Sequence, residues 1–181
     1  MKKHRHRILG AVLFVLYLVL LTYFLFFAEE MGRSPDARAE YSYNLTLFKE
    51  IRRFILYRDI LGWRAVFLNI FGNVLAFMPF GFLLPLIWKN FRNAKKVVLM
   101  GFLMSLAIEI CQLFNIRTTD IDDLLMNTLG TLVGYCCWKV FSLIFRNAGT
   151  KCVEIKKSEP VIYMFGGILG LFLLYNWRVF N

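Results

Sequence analysis

Histidine is nearly absent from this sequence. The two residues, His4 and His6, both lie in the N-terminal tail, and the long apolar remainder holds none. A Ser–His or Cys–His catalytic arrangement deep in the chain is therefore excluded. The cysteines, Cys111, Cys136, Cys137 and Cys152, show neither a disulfide framework nor metal-ligand spacing, and read as small packing residues. No cofactor or metal is expected. An internal repeat and low-complexity tracts are also missing, which argues against a transporter built from duplicated halves.

Charge is missing from long stretches. Ile8–Ala28, Ala65–Trp88 and Pro160–Trp177 contain none, Val97–Ile116 contains only Glu109, and Leu124–Phe145 only Lys139. Each run approaches or exceeds the ~18–20 apolar residues that cross about 30 Å of hydrocarbon. The chain is 59% hydrophobic with a mean hydropathy of +0.57, too apolar for a soluble domain of this size. The expectation is an all-α, polytopic integral membrane protein forming one domain over 1–181. Its bundle has five transmembrane helices at about 8–28, 65–88, 97–116, 124–145 and 160–177. The basic start "MKKHRHR" resembles a signal peptide, but the apolar run after it is long and "FFAEEMGR" lacks a small-x-small cleavage pattern. An uncleaved anchor is favoured.

The net charge of +10 would suggest nucleic acid in a soluble protein. Here topology explains it, and no nucleic-acid partner is expected. With the N-terminus inside, inner segments hold 13 bases and outer ones 9, which favours a cytoplasmic N-terminus and an external C-terminus. The outer loop 29–64 holds seven of those nine bases and six acids. Within it, Leu47, Phe48, Ile51, Phe54 and Ile55 recur at helical spacing, while Lys49, Arg52, Arg53 and Arg58 fall largely elsewhere. A short amphipathic helix follows, either lying in the membrane interface near lipid phosphates or packed on the bundle. "NLT" at Asn44 matches a glycosylation sequon, a weak three-residue signal.

What charge remains is concentrated in "EICQLFNIRTTDIDDLLMNTLG", Glu109–Gly130. Asn69 and Asn73 sit one turn apart near the outer end of the second span. Glu109 and Gln112 (i, i+3) lie in the outer half of the third, and Asp123 and Asn127 (i, i+4) in the first turns of the fourth. Three polar pairs thus reach one depth in the outer leaflet. Thr119 or Asp120 suits an N-cap, and Asp120, Asp122 and Asp123 meet the positive end of the helix dipole. Asn127, Gly130 and Gly134 share a stripe with Asp123, allowing close helix approach. Glu109, roughly 10 Å below its span's outer end, must pair, hydrate or take a proton, with Arg117 or Arg64 as candidate partners. Pro79, Gly81 and Pro85 are expected to bend or loosen the second span.

The segments "NVLAFMPFGFLLP", "EICQLF" and "TTDIDDLLMNTLGTLVGY", with "NLTLF" at Asn44–Phe48, resemble the VanZ-like family. These are small bacterial multi-pass membrane proteins whose founding member is linked to low-level teicoplanin resistance. The resemblance covers residues 44–134 through motifs. It carries over Asn69 or Asn73, Pro79, Gly81, Glu109, Gln112, Asp120, Asp123, Asn127 and Gly130, but implies a phenotype class more than a reaction. It points to a non-enzymatic protein of the bacterial cell membrane. Its expected partners are membrane lipids, a lipid-bearing glycopeptide or a lipid-linked cell-wall precursor. Asn69, Asn73, Glu109, Gln112, Arg117, Asp120, Asp123 and Asn127 would form the binding site. The alternative is a membrane enzyme on a lipid-linked substrate, with Glu109 and Asp123 as acid and base.

Overall fold

The computed structural model describes residues 2–27, 43–44, 46–113, 119–145 and 159–180, and some side chains within these ranges, including those of Asn69, Leu113, Thr119 and Asp120, fall outside the description. The loop 29–42, the connection holding Arg117, and the segment with Cys152 lie outside the described residues. The rest is all-α. Five long helices follow the five apolar runs: α1 (Lys2–Phe27), α4 (Trp63–Ile87), α5 (Ala94–Leu113), α6 (Ile121–Ile144) and α7 (Glu159–Phe180). Two short helices, α2 (Lys49–Leu56) and α3 (Arg58–Leu61), precede α4. Counted over the described residues, no helix is long and apolar enough to cross a membrane.

Two-residue strands β1 (Tyr43–Asn44) and β2 (Thr119–Asp120) add a feature no local pattern predicts. They pair in parallel, Tyr43 beside Thr119 and Asn44 beside Asp120. A polar segment ahead of α2 is thereby fastened to the chain just before α6.

The most extensive packing joins α4 to α6. Contacts along the pair give its direction. Asn73 meets Asp123, and eight residues on in both helices Gly81 meets Thr131, so the two run parallel. Glycine lets them touch backbone to backbone. A Cβ on Gly81 would strike the Thr131 carbonyl, one on Gly130 the Val74 carbonyl, and one on Gly134 the Met78 carbonyl. Both helices contribute to the seam. α4 continues through Pro79 and Pro85 without interruption, and Gly81 marks a point of contact. Beside this seam, Gly101 presses on Thr131 and Ser105 meets Asn127, so α5 is antiparallel to α6.

α1 and α7 complete the bundle. They pack on each other, with α1 also against α4 and α7 against α5. Phe14 and Leu18 of α1 are buried with Phe77, Phe80 and Leu84 of α4 and Met164 and Ile168 of α7. Phe14 meets the Trp88 ring edge-on at 4.8 Å, and the Tyr17 hydroxyl donates to the Ala76 carbonyl at 2.7 Å. At the far end, the Tyr135 hydroxyl donates to the Arg92 carbonyl at 3.2 Å, closing α6 onto the α4–α5 turn. Of the cysteines described, Cys136 and Cys137 are exposed, Cys111 is half-buried, and all three are free thiols.

The seam gives a stability prediction. Gly134→Ala should lower the unfolding midpoint of the purified protein, at a cost of about 1–3 kcal/mol for overpacking a rigid backbone contact. Gly170→Ala on α7, where an added Cβ meets nothing within 4 Å, should leave the midpoint within about 0.5 kcal/mol of the parent. Thermal melts of both variants under one condition check this, and equal midpoints would refute the seam.

Candidate functional site

Polar side chains are gathered where α6 begins, on the faces that α4 and α5 turn towards it. The parallel register puts Asn73 beside Asp123, and the Asn73 Nδ2 donates to Asp123 Oδ1 at 2.6 Å. One turn deeper, Asn127 Nδ2 donates to Ser105 Oγ at 2.9 Å, fully buried. Deeper still, the Thr131 hydroxyl donates to the Asn127 carbonyl at 3.0 Å, level with Gly101. The contacts between α5 and α6, Gly101 with Thr131 and Ser105 with Asn127, fix an antiparallel register. One turn beyond Ser105 it sets Glu109 level with Asp123, and the next turn sets Gln112 level with β2. Glu109 and Gln112 are buried, at 4% and 7% exposure. The site is thus layered. Asn73, Asp123 and Glu109 share one level, and Ser105 and Asn127 the next.

The described ionisable groups at this end are acidic. Glu109, Asp122 and Asp123 are carboxylates. Asn127 Oδ1, on a side chain 2% exposed, has no hydrogen-bond partner among the described residues. Buried polar atoms are ordinarily satisfied, so this unmatched acceptor, one level below Asp123 and Glu109, suits a donor such as a hydroxyl or amine. No group of three or more His, Cys, Asp or Glu among the described residues has the arrangement of a metal site.

A strap crosses the same end. The Phe48 backbone N–H donates to Asp122 Oδ1 at 2.5 Å. Phe48 holds a left-handed conformation, φ 64°, which costs a bulky L-residue roughly 1–2 kcal/mol. The carboxylate bond and the β1–β2 pairing offset that cost. Asp122 is buried at 2%. The helix dipole alone would have left it facing water; its carboxylate is spent on the strap.

Of the sequence-predicted residues, Asn73, Asp123, Asn127, Glu109 and Gln112 lie at this end of the three-helix core. Asn69 stands one turn before Asn73 on α4, with its side chain outside the description. The backbone of Asp120 is in β2, its side chain likewise undescribed, and Arg117 lies outside the described residues. Sequence reasoning missed Ser105 and the structural role of Asp122. Ser105 stands four residues before Glu109 on the same helix face, and that spacing was the available signal.

These contacts can be tested as a pair of strengths. Asp122→Ala should release the strap and speed limited proteolysis between residues 43 and 57, with the bundle's melting point falling little. A double-mutant cycle of Asn73→Ala and Asp123→Ala should return a coupling of about 0.5–3 kcal/mol. Strict additivity would refute the Asn73–Asp123 contact.

Comparison with known proteins follows the same residues. The sequence profile of the VanZ/LLP1 family matches residues 14–144, from the first helix to the end of α6. Protein VanZ of Enterococcus faecium is 33% identical over 174 residues, covering 95% of this chain and 94% of that protein. No solved structure matches the chain. The match spans the glycine seam, the layered polar end and the strap together, and on it the chain belongs to the VanZ/LLP1 family.

Proposed function

We propose that the chain is a polytopic protein of the bacterial cell membrane, with its N-terminus cytoplasmic and its C-terminus outside. The layered polar site lies in the outer leaflet, where it alters how a lipid-bearing glycopeptide such as teicoplanin, or a lipid-linked cell-wall precursor, engages the cell surface. Family membership carries this reading, since the founding member of the family is linked to teicoplanin resistance. Support for a lipid surrounding comes from bare apolar faces. Leu20, Leu143 and Phe165 are each about two-thirds exposed, and similar residues recur along α1, α4, α6 and α7. A chain in water does not ordinarily leave such rows uncovered. The five long helices run 20 to 26 residues, about 30–39 Å of axis.

Teicoplanin carries an acyl chain and vancomycin does not. A donor-seeking polar site flanked by apolar helices can hold the polar part of such a molecule while its chain stays in lipid. No chemical step is needed. The second reading, an enzyme on a lipid-linked substrate, rests on one observation: the register sets Glu109 level with Asp123, and two carboxyl groups facing one substrate can act as acid and base.

One experiment separates these. Expressed in a sensitive Gram-positive host, the chain should protect against teicoplanin and leave vancomycin susceptibility unchanged. Glu109→Gln and Asp123→Asn should each accumulate, and at least one should keep partial protection. Complete loss in both, at undiminished protein level, would favour the enzyme. Loss of protein together with function would reduce the cluster to a structural core. No change in susceptibility to either drug, with protein confirmed in the membrane fraction, would overturn the resistance role.

A further inference from the structure

The deeper groups of the polar end are shut away. Ser105, Glu109, Gln112 and Asn127 are each at most 7% exposed, and Asn73 and Asp123 above them are half-buried. A molecule bound there needs an opening, and the three-helix core does not supply one. Its helices meet through Gly81, Gly101, Gly130 and Gly134, where even an added methyl group would clash. Parting them would undo the whole seam. The segment between β1 and α4 is different. Of the side chains described from Thr46 to Ile60, none is fully buried. Only Ile51 and Phe54, one turn apart, are half-buried, and α2 rests on α4 and α6, the two helices that carry Asn73 and Asp123.

The same segment is bracketed by the residues of positive φ found among the described residues, Phe48 at 64° and Gly62 at 80°. Such backbone is ordinary for glycine and strained for a bulky L-residue, so the two ends behave differently. Gly62 ends α3 and precedes α4. An added Cβ there would meet nothing within 4 Å, so backbone freedom, and no lack of space, is what glycine supplies. Phe48 is strained, and its N–H bond to Asp122 Oδ1 holds it so. Breaking that bond lets Phe48 return to ordinary backbone. Inside, Asn127 Oδ1 has no donor among the described residues. The segment therefore closes over an interior whose hydrogen bonding is incomplete.

We infer that the segment from Phe48 to Gly62 is a lid on the polar site, pivoting at Gly62 and latched by the Phe48–Asp122 bond, which opens to admit a hydroxyl- or amine-bearing ligand to Asn127. This rests on the reading above that the polar end takes a ligand. Opening breaks the latch, relaxes Phe48 and leaves the glycine seam whole. Access to the site is thereby separated from the stability of the bundle.

The test uses the purified full chain in detergent, with Cys111, Cys136, Cys137 and Cys152 replaced by Ala and one reporter thiol added at a time. Ser105→Cys and Gln112→Cys report from inside the site. Val97→Cys reports from a fully buried position near the opposite end of α5. A cationic methanethiosulfonate should label the site reporters slowly. Asp122→Ala, which removes the latch, should speed that labelling about ten-fold or more. Gly62→Ala, which strains the closed pivot, should speed it about five-fold or more. The Val97→Cys rate should stay within about two-fold in both backgrounds. Either site reporter suffices if the other fails to accumulate. Unchanged rates inside the site would overturn the lid, and a rise confined to Asp122→Ala would overturn the pivot. An equal rise at Val97→Cys would assign the effect to a loosened bundle and overturn the lid as well. Labelling needs no drug, so a failed lid leaves the susceptibility experiment to decide the ligand reading, and a failed resistance role leaves the labelling result intact.

Discussion

The backbone contact between α4 and α6 is what the rest of the structure depends on. Two parallel helices brought together through Gly81, Gly130 and Gly134 sit closer than side-chain packing permits. That closeness allows a side chain as short as Asn73 to reach Asp123 across the seam. Residues thicker than glycine there would separate the helices, and the polar levels of the site would lose their alignment. α5 uses the same device through Gly101, which also meets Thr131 of α6. The site is therefore the polar end of a stack whose deeper levels are held by small residues.

Helix content was readable from the five apolar runs, because long stretches almost without charge leave the backbone little alternative to bonding itself. The i, i+4 spacing of Asp123 and Asn127 also marks one face of α6 without any structure. What those residues touch was not readable. Ser105 carries no signal by itself; it gains meaning because an antiparallel register brings it opposite Asn127, 22 positions away. Asp122 had a sufficient local explanation in the helix dipole, and that explanation concealed the Phe48 contact. The β1–β2 pair left no trace, since two residues are too few to set up an alternation. Pro79, Gly81 and Pro85 suggested a bent or loosened span, and α4 runs unbroken through all three. A freed carbonyl in such a helix can be met by neighbouring groups, and the Tyr17 hydroxyl on the Ala76 carbonyl shows that α1 supplies donors at this height.

The polar layers and a basic, apolar stretch occur side by side because the Phe48–Asp122 bond and the β1–β2 pairing join them. Without the Asp122 carboxylate, α2 would keep only its packing on α4 and the β1–β2 pairing just ahead of it. With it, the bases keep a fixed distance from Glu109 and Asp123.

The strap also sets an order of events during synthesis. Phe48 and Asp122 are 74 positions apart, and α4, α5 and the chain between them must be made first. At roughly 5–20 residues per second, that interval lasts about 4–15 s. Throughout it, α2 exists without its anchor, and the left-handed Phe48 has nothing to compensate its strain. The segment can take its final shape only once the first turn of α6 has emerged. Closure of the site at this end is thus a late step in the biogenesis of the chain, timed by the ribosome.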